Sequence, residues 1–160
     1  MIRPVKAGDD EAIAAIYNPF VAETTVTFEE EAVSAAQIRE RIGHTTATHP
    51  YLVLEEEGRV AGYAYASAFR ARPAYRFTAE TTIYLAAGAT GRGQGARLYR
   101  ALLDMLKKED FHTALGIIAL PNEASVRLHQ KLGFEKIGQI AQVGFKFGRW
   151  IDTGYWQLHL

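Results

Sequence analysis

The sequence predicts a single α/β (α+β) domain over residues 1–160, with a mixed central β-sheet flanked by helices. Three observations carry that expectation. Short β-branched and aromatic runs with period-2 alternation are interleaved with stretches of helical periodicity. A length of 160 residues with 48% hydrophobic content supports one full core. The segment Glu80 to Tyr99 passes from a strand pattern through a glycine cluster into a helical pattern, with Leu98, Leu102, Met105 and Leu106 on one face.

Taken in order, Ile2 to Val5 reads as a short strand. Gly8-Asp9-Asp10-Glu11 then places acidic residues at the start of a helix carrying Ile13, Ile16 and Tyr17, which Asn18-Pro19 is expected to end. Val21 to Phe28 is poorly periodic, a loop or a short strand. Ser34 followed by Gln37 forms a capping-box pattern for a helix through Ile42, ended by Gly43. Tyr51–Glu55 and Val60–Ala66 form a hairpin across Glu56-Glu57-Gly58-Arg59. Arg70, Arg72 and Arg76 then interrupt the strands around Pro73, as a solvated loop or as a clamp for a carboxylate or phosphinate. After the central strand and helix, Thr113–Leu120 reads as a buried strand and Pro121-Asn122-Glu123 opens a helix closed by Gly133. Glu135–Phe145 and Trp150–Leu160 are the last two strands. The expected order is β-α-α-β-β-β-α-β-α-β-β, with no internal repeat or linker.

The glycine cluster has a specific physical reading. The first N–H groups of a helix lack intrahelical partners, and with the macrodipole they favour an anion at that end. Gly91, Gly93 and Gly95 carry no Cβ, so the backbone is expected to take φ > 0 and admit a pyrophosphate, with Arg92 and Arg97 adding charge. A P-loop would require Gly-Lys-Ser/Thr where Gly95-Ala96-Arg97 stands, and a dinucleotide fingerprint would follow a first strand. A glycine turn that binds nothing is the bland alternative.

Composition narrows the classes. With 18 basic and 18 acidic residues the net charge is zero, so no electrostatic footprint for nucleic acid or a membrane surface exists. Cysteine is absent, which excludes a disulfide framework and a cysteine nucleophile. The five histidines show no metal-ligand spacing, so no metal is expected. No apolar signal core follows Met1 and no run of 18 apolar residues occurs, giving the expectation of a soluble, cytoplasmic protein.

With the glycine loop, Asn122 and Leu128-His129-Gln130-Lys131-Leu132-Gly133-Phe134 in register, the chain resembles the GCN5-related N-acetyltransferases (GNAT). Phe69–Arg76, Ala79–Tyr84, Leu120–His129 and Val143–Asp152 further resemble the phosphinothricin and methionine sulfoximine N-acetyltransferase subfamily. The resemblance implies the GNAT fold, a homodimer, and transfer of an acetyl group from acetyl-CoA to the α-amine of a small amino-acid analogue. It implies that Ile83, Tyr84 and Leu85 hold the pantetheine arm through backbone groups. The pyrophosphate would lie on Gly91, Arg92, Gly93, Gln94, Gly95 and Ala96, and Asn122 would contact the cofactor near the thioester. Arg70, Ala71, Arg72, Thr81 and Thr82 would line the substrate pocket, where Glu80 matches the catalytic base. Two positions depart from the pattern: Thr90 replaces the usual Arg or Gln, and Phe147 stands where some herbicide-inactivating members carry His.

The chemistry requires a base, because an ammonium is not a nucleophile. Glu80 is the candidate, with an exposed strand carboxylate as its bland counterpart. A backbone N–H near Leu85 would stabilise the oxyanion. His129, seven residues after Asn122, is a candidate acid for the leaving thiolate or a packed helix histidine. Another amine acceptor and a non-catalytic acyl-CoA-binding module remain as alternatives.

Overall fold

The alternating runs become one seven-stranded sheet, β1 (Ile2–Pro4), β2 (Tyr51–Glu56), β3 (Arg59–Ala68), β4 (Thr78–Leu85), β5 (Thr113–Leu120), β6 (Glu135–Lys146) and β7 (Arg149–His159), in the spatial order β1-β2-β3-β4-β5-β7-β6. The computed structural model describes all residues 1–160. The helices are α1 (Asp10–Glu23), α2 (Ala35–Thr46), α3 (Gln94–Lys108) and α4 (Glu123–Lys131). Ile13, Ile16 and Tyr17 of α1 and Ile38 of α2 pack with Tyr51, Val53 and Tyr63 on one sheet face. Leu98, Leu102 and Leu106 of α3 pack with Leu52, Leu54 and Ala64 on the other, where Val126 and Leu128 of α4 join them. No helix is long and apolar enough to cross a membrane.

Local signals hold at most boundaries. Ser34 and Gln37 form the capping box, with Gln37 N–H donating to Ser34 Oγ at 3.1 Å and Ser34 N–H to Gln37 Oε1 at 2.9 Å. The β2–β3 hairpin turns through Glu57 and Gly58, at φ 49° and 74°, the two left-handed residues that match strand twist. Pro19, in contrast, does not end α1, which continues to Glu23. Pro19 removes a donor from the Ala15 carbonyl, but Ala15 faces solvent, where water can serve it. Val21 beyond it is buried, and Asn18 exchanges two hydrogen bonds with the Val33 backbone. Tertiary packing thus outweighs the helix breaker. Gly43 likewise does not stop α2, which runs to Thr46.

One irregularity positions everything that follows. β4 and β5 pair in parallel only from Thr78↔Thr113 to Thr81↔Gly116 and then diverge. β4 stays paired with β3 as far as Leu85, and β5 with β7 as far as Leu120. The gap is therefore a wedge between two strands, each secured on its outer side.

Candidate active site

The wedge exposes backbone groups in a fixed alternation. In an antiparallel ladder only every second residue bonds to a given neighbour. Ala86 N–H donates to Ala61 O at 2.9 Å across the β3 side. Continuing that alternation, Tyr84 and Thr82 also bond toward β3, while the peptide groups of Ile83 and Leu85 point into the gap. Of the three residues expected to hold the pantetheine arm, Ile83 and Leu85 thus present free main chain. Tyr84 instead contributes its ring, 5.1 Å from Tyr17 and 5.6 Å from Tyr63.

At the wide end of the wedge lies the glycine cradle. Gly91 and Gly93 have φ 78° and 74°, and a Cβ on either would meet nothing within 4 Å. Gly93 is the N-cap of α3, so the first amides of that helix open onto this space. That geometry fits a pyrophosphate. Gly95 is a correction: it is buried within α3, where a Cβ would stand 3.1 Å from Leu85 Cδ1, so its role is close helix-to-strand packing. Arg92 donates to Gly88 O at 2.7 Å and pairs with Glu56 at 3.2 Å, and Gln94 Nε2 donates to Glu56 at 2.6 Å. Ala96 follows on the first turn, half-buried. Thr90 Oγ1 donates to Ala87 O at 3.0 Å, which turns the departing hydroxyl to local turn formation.

A cleft of about 870 Å³ opens beside the wedge. Successive strand residues face opposite sides of a sheet, so Glu80, Thr82 and Tyr84 share the α1–α2 face. Across β5, Leu115, Ile117 and Ala119 share it, since Leu115 is the register partner of Glu80. Glu80 lines this cleft, makes no ion pair, and has its carboxyl pushed above the ordinary 4.5 by burial alone. A carboxylate so placed is a stronger base than an exposed one.

The opposite face carries a buried hydrogen-bond chain. Thr81 Oγ1 donates to Leu115 O at 3.0 Å and contacts the Tyr99 hydroxyl, which lies 3.0 Å from His129 Nε2. His129 Nδ1 lies 2.8 Å from Ser125 O, and because a carbonyl only accepts, the neutral ring carries its proton there. Thr81, Tyr99 and neutral His129 supply one proton each, three for four links, so a second proton on His129 would complete the chain. Burial opposes that by lowering the His129 pKa. Thr81 therefore braces β4, β5 and α3 from the face opposite Thr82. His129 is 4% exposed, with both nitrogens engaged, in a seat that requires Gly116, whose Cβ would lie 2.4 Å from Nε2. Asn122 lines the cleft while its Oδ1 caps α4 by accepting from Ser125 N–H at 3.2 Å.

The structure keeps Arg70, Ala71 and Arg72 out of the cleft wall of the single chain. All three are exposed, and the Arg70 guanidinium lies 5.1 Å from the Phe69 ring and 5.8 Å from the Tyr75 ring. Sequence reasoning missed the aromatic wall of Tyr17, Tyr51, Tyr63 and Tyr65, whose signal was the period-2 tyrosine spacing in the hairpin. Burial pushes the Tyr17 phenol up to about 12. It also missed Arg41, which reaches the cleft from α2 and pairs with Glu29. The Thr27–Phe28 wall is held by the β6–β7 hairpin: the buried Lys146 ammonium donates to Thr27 O at 2.9 Å, and Gly144 leaves room for the Phe28 ring.

Comparison with known proteins agrees with this geometry. Residues 2–154 match the acetyltransferase (GNAT) domain family. The chain is 40% identical over 160 residues to a phosphinothricin N-acetyltransferase of Streptomyces coelicolor, covering 98% of this chain and 94% of the relative. It is 37% identical to an L-methionine sulfoximine/L-methionine sulfone acetyltransferase of Pseudomonas aeruginosa, covering 99% and 94%. A GNAT phosphinothricin acetyltransferase from Sinorhizobium meliloti, solved in complex with AcCoA, superposes with a TM-score of 0.96 at 40% identity, covering 100% of this chain and 88% of the other. With its wedge, its cradle and these full-length matches, the chain belongs to the GNAT acetyltransferase family.

Proposed function

We propose that this N-acetyltransferase moves the acetyl group of acetyl-CoA to the α-amine of a small amino-acid analogue of the phosphinothricin, methionine sulfoximine or methionine sulfone class, with Glu80 as general base. The observation that carries the reading is the unpaired, partly desolvated Glu80 carboxylate on the cleft side of the wedge. The names of the full-length relatives support the substrate class.

Glu80 takes a proton from the substrate ammonium, directly or through water, and the amine attacks the thioester carbonyl carbon. The C–N bond forms, the oxyanion draws on N–H groups of the Ile83–Leu85 edge, and the C–S bond then breaks. The departing thiolate takes up the second proton that the attacking nitrogen sheds, while neutral His129, its own proton held by Ser125 O and its Nε2 facing Tyr99, stays part of the buried chain. Arg70 and Arg72, outside the cleft wall of the single chain and with no acidic partner within it, bind the acidic part of the substrate where it emerges from the cleft, with Ala71 beside them and Thr82 shaping the cleft side. The test is thiol release from acetyl-CoA against amino acids, sulfoximines, sulfones, phosphinothricin, polyamines and aminoglycosides. Turnover is expected with the oxidised amino-acid analogues, and Arg70→Ala is expected to raise their KM about tenfold without changing acetyl-CoA affinity. Turnover confined to polyamines or aminoglycosides would overturn the reading.

The same proposal includes a homodimer. Edge strand β6, its turn and the start of β7 expose Ile137, Ile140, Val143, Phe145, Phe147 and Trp150, the last at 63%. An apolar, unpaired edge is an association surface, and a second copy of this chain matches it in character. Sedimentation velocity should show a dimer for the wild type and a monomer for Phe145→Glu/Trp150→Glu. A monomeric wild type at micromolar concentration would remove the dimer.

A further inference from the structure

A side chain outside the machinery described above has the marks of a ligand contact. Thr153, on β7, is 6% exposed and lines the cleft, and its hydroxyl has no hydrogen-bond partner. Burying an unpartnered hydroxyl is unfavourable, and valine would fill the same volume without that penalty. On the face it shares with Glu80, the neighbouring β5 wall is apolar, formed by Ile117 and Ala119. The other unpartnered buried atom, Trp156 Nε1, belongs to the core on the far side and does not line the cleft.

Register fixes where the hydroxyl points. Thr153 is the partner of Ala119, and Ala119 shares a face with Leu115 and hence with Glu80. The hydroxyl therefore faces the same space as the Glu80 carboxylate. β5 lies between β4 and β7, and Ala119, the partner of Thr153, stands four residues beyond Leu115, the partner of Glu80, so the two backbones are roughly 16 Å apart at ordinary strand spacing, a span that the Glu80 side chain, an extended substrate and two hydrogen bonds together cover. The far end of an amino acid whose amine sits at Glu80 is within reach.

We infer that Thr153 is a specificity-determining residue whose hydroxyl donates a hydrogen bond to the side-chain oxo group of the substrate, the sulfone, sulfoximine or phosphinyl oxygen. This rests on the substrate class proposed above. A thioether such as methionine has no oxygen there and would leave the hydroxyl unpaired, so the contact selects for the oxidised analogue.

The experiment compares wild type, Thr153→Val and Thr153→Ser with L-methionine sulfone and with L-methionine, the latter as substrate or as competitive inhibitor. Thr153→Val should lower kcat/KM for the sulfone about tenfold or more, leave the methionine constant unchanged, and leave the acetyl-CoA KM unchanged. Thr153→Ser should restore the sulfone constant. The Tm of Thr153→Val should equal or exceed that of the wild type, which excludes misfolding as the cause. Equal losses for sulfone and methionine, no loss for either, or a raised acetyl-CoA KM would overturn the inference while leaving the proposed function standing. Failure of the wild type to acetylate any oxidised analogue would overturn both.

Discussion

Glu80→Gln is expected to lower kcat by roughly 100-fold or more while acetyl-CoA still binds. Glutamine keeps the shape and removes the basic electron pair, so the loss falls on the chemical step. The same variant should be at least as stable as the wild type at neutral pH. Burial raises the Glu80 pKa above its ordinary 4.5, so the folded chain holds this proton more tightly than the unfolded chain. Its contribution to stability is greatest below pH 4.5 and is lost as pH rises through the folded value. An uncharged amide escapes that loss. Lower activity with equal or higher Tm, measured by steady-state kinetics and thermal melts, is the signature of a functional carboxylate. The acidic limb of kcat/KM should follow an ionisation above 4.5 in the wild type and vanish in the variant, with amines of different pKa used to separate the substrate's own titration. Turnover within about threefold of wild type at every pH would show that another base acts.

Gly93→Val is expected to weaken acetyl-CoA binding by tenfold or more in calorimetry, with the fold intact. Gly93 sits at φ 74° as the N-cap of α3, and a β-branched residue there is strained by about 1–3 kcal/mol. Nothing lies within 4 Å of its absent Cβ, so the strain is backbone strain, relieved by reshaping the turn that aims the first α3 amides outward. Gly95→Val provides the contrast. Its side chain would press on Leu85 and pry α3 from β4, so stability should fall along with affinity. Unchanged affinity in folded Gly93→Val would detach the cradle from the cofactor.

Much of the architecture was legible because it depends on short-range chemistry. The Ser34–Gln37 box, the Glu57–Gly58 turn and the buried stripe Leu98, Leu102 and Leu106 each involve residues a few positions apart. The glycine cluster announced the cradle in the same way, because a left-handed backbone at a helix start needs glycine. Pro19 and Gly43 misled for the complementary reason. Local breakers add a modest penalty, and the burial of Val21 and the Asn18–Val33 bonds outweigh it.

By itself the sequence determined the order of elements, the mixed sheet, the glycine turn that opens α3, and Glu80 as the carboxylate on the central strand. The tertiary structure alone decided which groups face the cleft and the wedge. Parallel pairing stops after Thr81, and that register leaves Ile83 and Leu85 with free main chain while Tyr84 is bound to β3. It also places Thr81 among Tyr99, His129 and Leu115, and brings the unpartnered Thr153 hydroxyl onto the Glu80 face. The physical reason is that pairing between strands distant in sequence sets both strand-side alternation and burial. A hydroxyl or carboxylate acquires its chemistry only when that long-range pairing has removed water from around it.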